Sequence, residues 1–97
     1  MIKKQPVKKN KRKKIKFLYH APEAGEVILM GDFNKWDGKK HRMKKGSQGT
    51  WEKSLILIPG TYEYKYLVDG DWQEDPENHE NRLNSFGTYN NLLTVAG

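Results

Sequence analysis

The sequence predicts an all-β fold, an immunoglobulin-like antiparallel β-sandwich of about six to eight short strands. Apolar residues recur with period two, Gly and Pro punctuate the chain at short intervals, and no window carries a sustained helical stripe. Residues 15–19 form the first alternating run, closed by Pro22 and a turn at Gly25. Residues 26–30 are rich in β-branched and large apolar side chains and give a second strand. The charged stretch 41–45 suits a short third strand before a loop at 46–49. Residues 51–58 give a fourth, which Pro59-Gly60 turns sharply into a fifth at 61–68. Asp69-Gly70 is a hairpin signal leading into residues 71–73. Residues 74–90 read as loop, and 91–95 close the domain.

Alternation separates the faces. Tyr62, Tyr64, Tyr66 and Val68 point one way from the fifth strand, and Glu63, Lys65 and Leu67 the other. On the second strand Val27, Leu29 and Gly31 oppose Ile28, Met30 and Asp32. Strands with one apolar face must bury it against a second sheet, which is the sandwich solution. An OB-type barrel, also small, all-β and turn-rich, is the main rival.

Charge divides the chain of 97 residues in two. Residues 1–16 carry nine Lys or Arg and no acid, while the remainder carries the other nine bases against all twelve acids, a net of −3. Residues 1–14 therefore read as a disordered basic arm, and 15–97 as the folded domain. The arm suits an anionic partner, nucleic acid or acidic lipid, or else serves only as a solubilising tail. The chain has no cysteine, so disulfides, thiolate metal sites and cysteine nucleophiles are excluded, and the expected setting is reducing and cytoplasmic. Apolar runs of four residues are too short to span a bilayer.

The sequence carries no catalytic signature. His20, His41 and His79 lie in separate segments without metal-ligand spacing, and no nucleophile elbow, phosphate-cradling glycine loop or dinucleotide fingerprint occurs. Asp69, Asp71, Glu74, Asp75, Glu77 and Glu80 cluster without the calcium-loop register and read as solvated loop acids. No catalytic residue, cofactor or metal site is expected. Trp51 belongs to a strand. Trp36 and Trp72 instead sit in polar surroundings, and with Asn90-Asn91 and Lys65 on the off-core face they suit a sugar. An indole stacks on the apolar face of a pyranose, while amides and an ammonium bond its hydroxyls.

Residues 26–36, Glu-Val-Ile-Leu-Met-Gly-Asp-Phe-Asn-Lys-Trp, resemble the first signature of the glycogen-binding domain in the β subunit of AMP-activated protein kinase. Residues 64–72, Tyr-Lys-Tyr-Leu-Val-Asp-Gly-Asp-Trp, with Asp75-Pro76 beyond, resemble its second, and residues 86–93 its closing segment. The wider group is carbohydrate-binding module family 48 (the isoamylase N-terminal-like domain), found also at the N-termini of glycogen branching and debranching enzymes. The resemblance covers about residues 15–96. It implies non-catalytic binding of α-glucan (glycogen, starch or a maltooligosaccharide), with Trp36 and Trp72 stacking on glucose rings, Lys65 and Asn90 bonding hydroxyls, and Thr88 alongside. Phe86 replaces a leucine that meets the curved glucan in the kinase subunit. Neither a kinase-binding tail nor a glycosidase domain is recognised, so the expectation is a domain that stands alone.

Two alternatives belong to other classes. A nucleic-acid binder would track phosphate with the arm and stack bases on exposed aromatics; against it stands the net negative body. A protein-interaction module would keep the fold and dock a partner through the arm.

Overall fold

A computed structural model describes residues 11–97. Eight strands form two antiparallel sheets: β1 (Lys13–His20), β2 (Val27–Gly31), β3 (Lys44–Lys45), β4 (Thr50–Leu57), β5 (Gly60–Val68), β6 (Asp71–Gln73), β7 (Asn81–Leu83) and β8 (Tyr89–Val95). The first sheet has the order β1-β4-β3. The second has β2-β5-β8-β7, with β6 added to the end of β5. No described helix is long and apolar enough to cross a membrane.

The core lies between the sheets, and aromatic side chains fill it. Phe17 and Tyr19 from β1 meet Tyr64 and Tyr66 from β5, at ring-centroid distances of 5.3 Å for Phe17–Tyr64 and 4.8 Å for Tyr19–Tyr66. Val27, Leu29, Trp51, Leu57 and Val95 complete it. Tyr66 is wholly buried and donates its hydroxyl to Leu18 O of the opposite sheet at 3.3 Å, which satisfies its one polar group. Burial pushes the Tyr64 and Tyr66 phenols far above their ordinary range, so both act as neutral donors. Trp51 is buried, as its strand pattern predicts, with Nε1 donating to Ala21 O.

Three sequence expectations need correction. The arm ends before residue 14, because Lys13 and Lys14 already pair with Leu57 and Ile56. Backbone groups make that ladder, and an edge strand lets the ammoniums reach water. Residues 1–10 of the expected arm lie outside the described residues. The segment 74–90 also holds a strand: Asn81, Arg82 and Leu83 pair with Asn91, Asn90 and Tyr89. Its composition lacks β-branched residues, so only the partner reveals it. Finally, two of the clustered acids are structural. Asp69, with φ 47° ahead of Gly70 at φ 87°, makes the expected hairpin turn, and its carboxylate accepts the N–H groups of Gly25 and Glu26. Asp75 accepts the Tyr64 hydroxyl at 2.7 Å.

Candidate functional site

Register sets the outer face of the five-stranded sheet. Lys65 lies opposite Met30, Leu67 opposite both Ile28 and Trp72, Glu63 opposite Leu92, and Arg82 opposite Asn90. Opposed residues share a face, so these side chains stand on the side away from the core.

Trp36 reaches that face from the loop after β2. Gly31 is required there by close approach: a Cβ would lie 2.6 Å from the Phe33 ring and 2.7 Å from Glu63 O. A 3-10 turn (Asp32–Asn34) follows, and then Lys35 and Trp36 both take left-handed backbone, φ 56° and 59°, which turns the chain back over the sheet. Such conformations are costly for bulky residues and persist only when surroundings impose them. Asn34 imposes this one. Only 3% exposed, its Oδ1 accepts the N–H groups of Gly31 (3.1 Å) and Trp36 (3.0 Å), and its Nδ2 donates to Leu29 O (2.9 Å) and His41 Nδ1 (2.8 Å). Asp32 fixes the ring. Its Oδ1 accepts the indole Nε1–H at 3.0 Å, and its Oδ2 accepts the Glu63 N–H at 2.8 Å, one rung beyond the last β2–β5 pair.

Trp72 stands on β6, half-buried at 49% exposure, with its ring centroid 6.1 Å from that of Trp36 and the planes at 63°. A line of polar groups runs away from this pair. Lys65, 6% exposed despite its off-core position, donates from Nζ to Thr88 Oγ1 at 3.1 Å. Asn84 Nδ2 donates to Thr88 Oγ1 (2.8 Å) and to Asn90 Oδ1 (3.0 Å). Asn90 Nδ2 donates to Glu63 Oε1 at 3.0 Å, and Arg82 donates to Glu63 Oε2 at 3.2 Å. Phe86 occupies the tip of the β7–β8 hairpin, 89% exposed, just before Gly87 at φ 85°.

Of the residues singled out from sequence, Trp36 and Trp72 meet directly, and Lys65, Thr88 and Asn90 join one hydrogen-bonded line. Phe86 rides on the same hairpin. Asn91, grouped with Asn90 as a sugar-facing amide, points inward instead. It is fully buried and holds the 75–78 loop, accepting the Asp75 N–H and donating to Asn78 O. Neighbouring strand residues face opposite sides, so an amide pair cannot serve one ligand. Sequence reasoning missed Asp32, Asn34, His41, Glu63 and Asn84. Glu63 alternates with Lys65 and was legible; the other four act through contacts that spacing does not reveal.

The profile of the family described as the glycogen recognition site of AMP-activated protein kinase matches residues 13–97. The chain belongs to this family. Its match begins at the first residue of β1 and includes every strand of both sheets. Among curated proteins, the chain is 43% identical over 80 residues to Protein FLOURY ENDOSPERM 6, chloroplastic, of Oryza sativa subsp. japonica, covering 82% of this chain and 15% of that protein. It is 42% identical over 73 residues to Protein PTST homolog 2, chloroplastic, of Arabidopsis thaliana, covering 75% and 13%. A 1,4-alpha-glucan branching enzyme GlgB of a Nostoc species is 46% identical over 56 residues, 58% of this chain and 7% of the enzyme. The chain thus spans a small part of each relative. The solved structure of a maltogenic amylase from S. marinus has a similar fold, at TM-score 0.75 and 24% identity, over 90% of this chain and 14% of that one.

Proposed function

We propose that the outer face of the five-stranded sheet binds α-glucan without chemical change, Trp36 and Trp72 stacking on successive glucose rings. One observation carries the reading: two indoles from different segments stand 6.1 Å apart at an angle, beside a prearranged line of amide, hydroxyl and ammonium groups. Angled platforms suit a curved α-linked chain, and the polar line suits the hydroxyl edge of the sugars. Lys65 and Asn90 bond hydroxyls, Thr88 lies alongside them, and Phe86 adds an apolar contact from the hairpin tip. The relative named as a 1,4-alpha-glucan branching enzyme supports this substrate class.

A binding role without catalysis is supported by how two carboxylates at the site are used. Asp32 is engaged by the Trp36 indole and the Glu63 N–H, and Glu63 by Asn90 and Arg82. Both serve to position neighbours. The cytoplasmic setting is kept as an expectation from composition, beside plant relatives named as chloroplastic. The test is retardation of the chain in a native gel containing glycogen. Migration that glycogen leaves unchanged, with a fold intact by circular dichroism, would reject the proposal.

A further inference from the structure

The residue that fixes the Trp36 loop has an unusual fourth partner. Asn34 Oδ1 accepts two backbone N–H groups, from Gly31 and Trp36, so its amide orientation is settled and Nδ2 is the donor on the other side. Nδ2 points 2.8 Å from His41 Nδ1. That nitrogen must therefore carry a lone pair, and His41 must be the neutral tautomer protonated on Nε2. An amide flip cannot rescue a protonated ring, since it would set the Asn34 NH₂ against two backbone donors.

We infer that His41 is a positioning residue for Trp36, acting through Asn34, and that glucan affinity falls when the ring gains a second proton. The inference rests on the glucan-binding reading above. Protonation puts N–H against N–H at a half-buried contact whose Asn34 side is fully enclosed. Asn34 must then give up its hold on the Trp36 N–H or lose its bond to His41. The surroundings keep the ring neutral at pH 7: burial, then Lys53 on β4 and Lys40 in its own loop, lower His41 from its ordinary 6.5. From β2, His41 O accepts the Leu29 N–H, and from the 3-10 turn the Phe33 ring lies at 6.2 Å, so neither contributes a compensating charge. The adjacent Arg42 is paired with Glu26 at 2.8 Å.

The test uses the full chain, with maltoheptaose as probe, titrated from about pH 7.5 to about pH 5. Affinity is expected to fall about three- to tenfold, the range for losing one hydrogen bond. In NMR, the Trp36 amide and indole resonances should move with the His41 ring, at a midpoint below 6.5. His41→Asn sets an amide oxygen where Nδ1 stood, so it keeps an acceptor for Asn34 but does not titrate; it should lose the acid response. His20→Gln, whose ring meets Thr50 on the other sheet, should retain that response. An affinity that stays flat while His41 titrates, or an acid loss that persists in His41→Asn, would overturn the inference. If maltoheptaose binds at no pH, the glucan reading fails, and the Trp36 resonances still decide the linkage: co-titration supports it and stillness refutes it. Should His41→Asn not fold, the wild-type NMR titration decides alone.

Discussion

Tryptophan is the natural platform for a pyranose because its large flat face loses little conformational freedom on binding, and here two such faces are fixed differently. Trp72 is held by the β5–β6 ladder and is half exposed, whereas Trp36 is pinned through its indole N–H and its backbone. Replacing either with Ala is expected to weaken glycogen binding by about 2 kcal/mol, roughly thirtyfold, as aromatic anchors do in small interfaces. Affinity electrophoresis across a glycogen series measures this. Trp72→Ala should leave the melting temperature nearly unchanged. Tyr64→Phe should behave in the opposite way. Its hydroxyl serves Asp75 and Asn78 inside the domain, so removal should cost about 1 to 3 kcal/mol in a denaturant titration and spare affinity. His41 carries a stability prediction with a definite sign. Its folded value lies below its unfolded 6.5, so its contribution is present above 6.5 and is lost as pH falls through the folded value. His41→Asn should therefore lose less stability than the wild type on acidification.

At the scale of elements, the β7–β8 hairpin is a delivery device. Asn84 Oδ1 accepts the N–H groups of Phe86 and Thr88, while its Nδ2 bonds Thr88 and Asn90. One amide thereby sets the tip that carries Phe86 and also two side chains of the polar line. Asn84→Ala should lower glycogen affinity several-fold, about the value of one or two hydrogen bonds, with an unchanged far-UV spectrum. Equal affinity in the variant would mean that the hairpin is ordered by its ladder alone. The loop after β2 works by the same logic, with Asn34 as its organiser.

Across the whole molecule, the two sheets have different tasks. The β1-β4-β3 sheet supplies half of the aromatic core, and the other sheet turns its outer face into the candidate site. Neutral sugar offers no Coulombic partner to the lysines near the N-terminus. Deleting residues 1–10 should leave glycogen retardation intact, and raising salt from about 50 to about 200 mM should hardly alter it. Binding that disappears with those residues, or fades steeply with salt, would move the ligand contact off the sheet and favour a polyanion.

What the sequence determined by itself was the local physics. Period-two alternation on residues 61–68, the turn chemistry of Asp69-Gly70 and the two tryptophans in polar surroundings are properties of short segments, and each can be read without knowing its partners. The family signatures were legible for the same reason, being short runs with fixed internal spacing. Pairing decided the rest. β7 exists because Asn81, Arg82 and Leu83 find β8, and Asn91 separates from Asn90 because the strand pleat sends them to opposite sides. The Asn34–His41 contact likewise joins residues seven apart through a loop whose shape depends on the sheet beneath it. Hydrogen-bond partners are set by where backbones converge in space, and that convergence follows from burying two apolar sheet faces together.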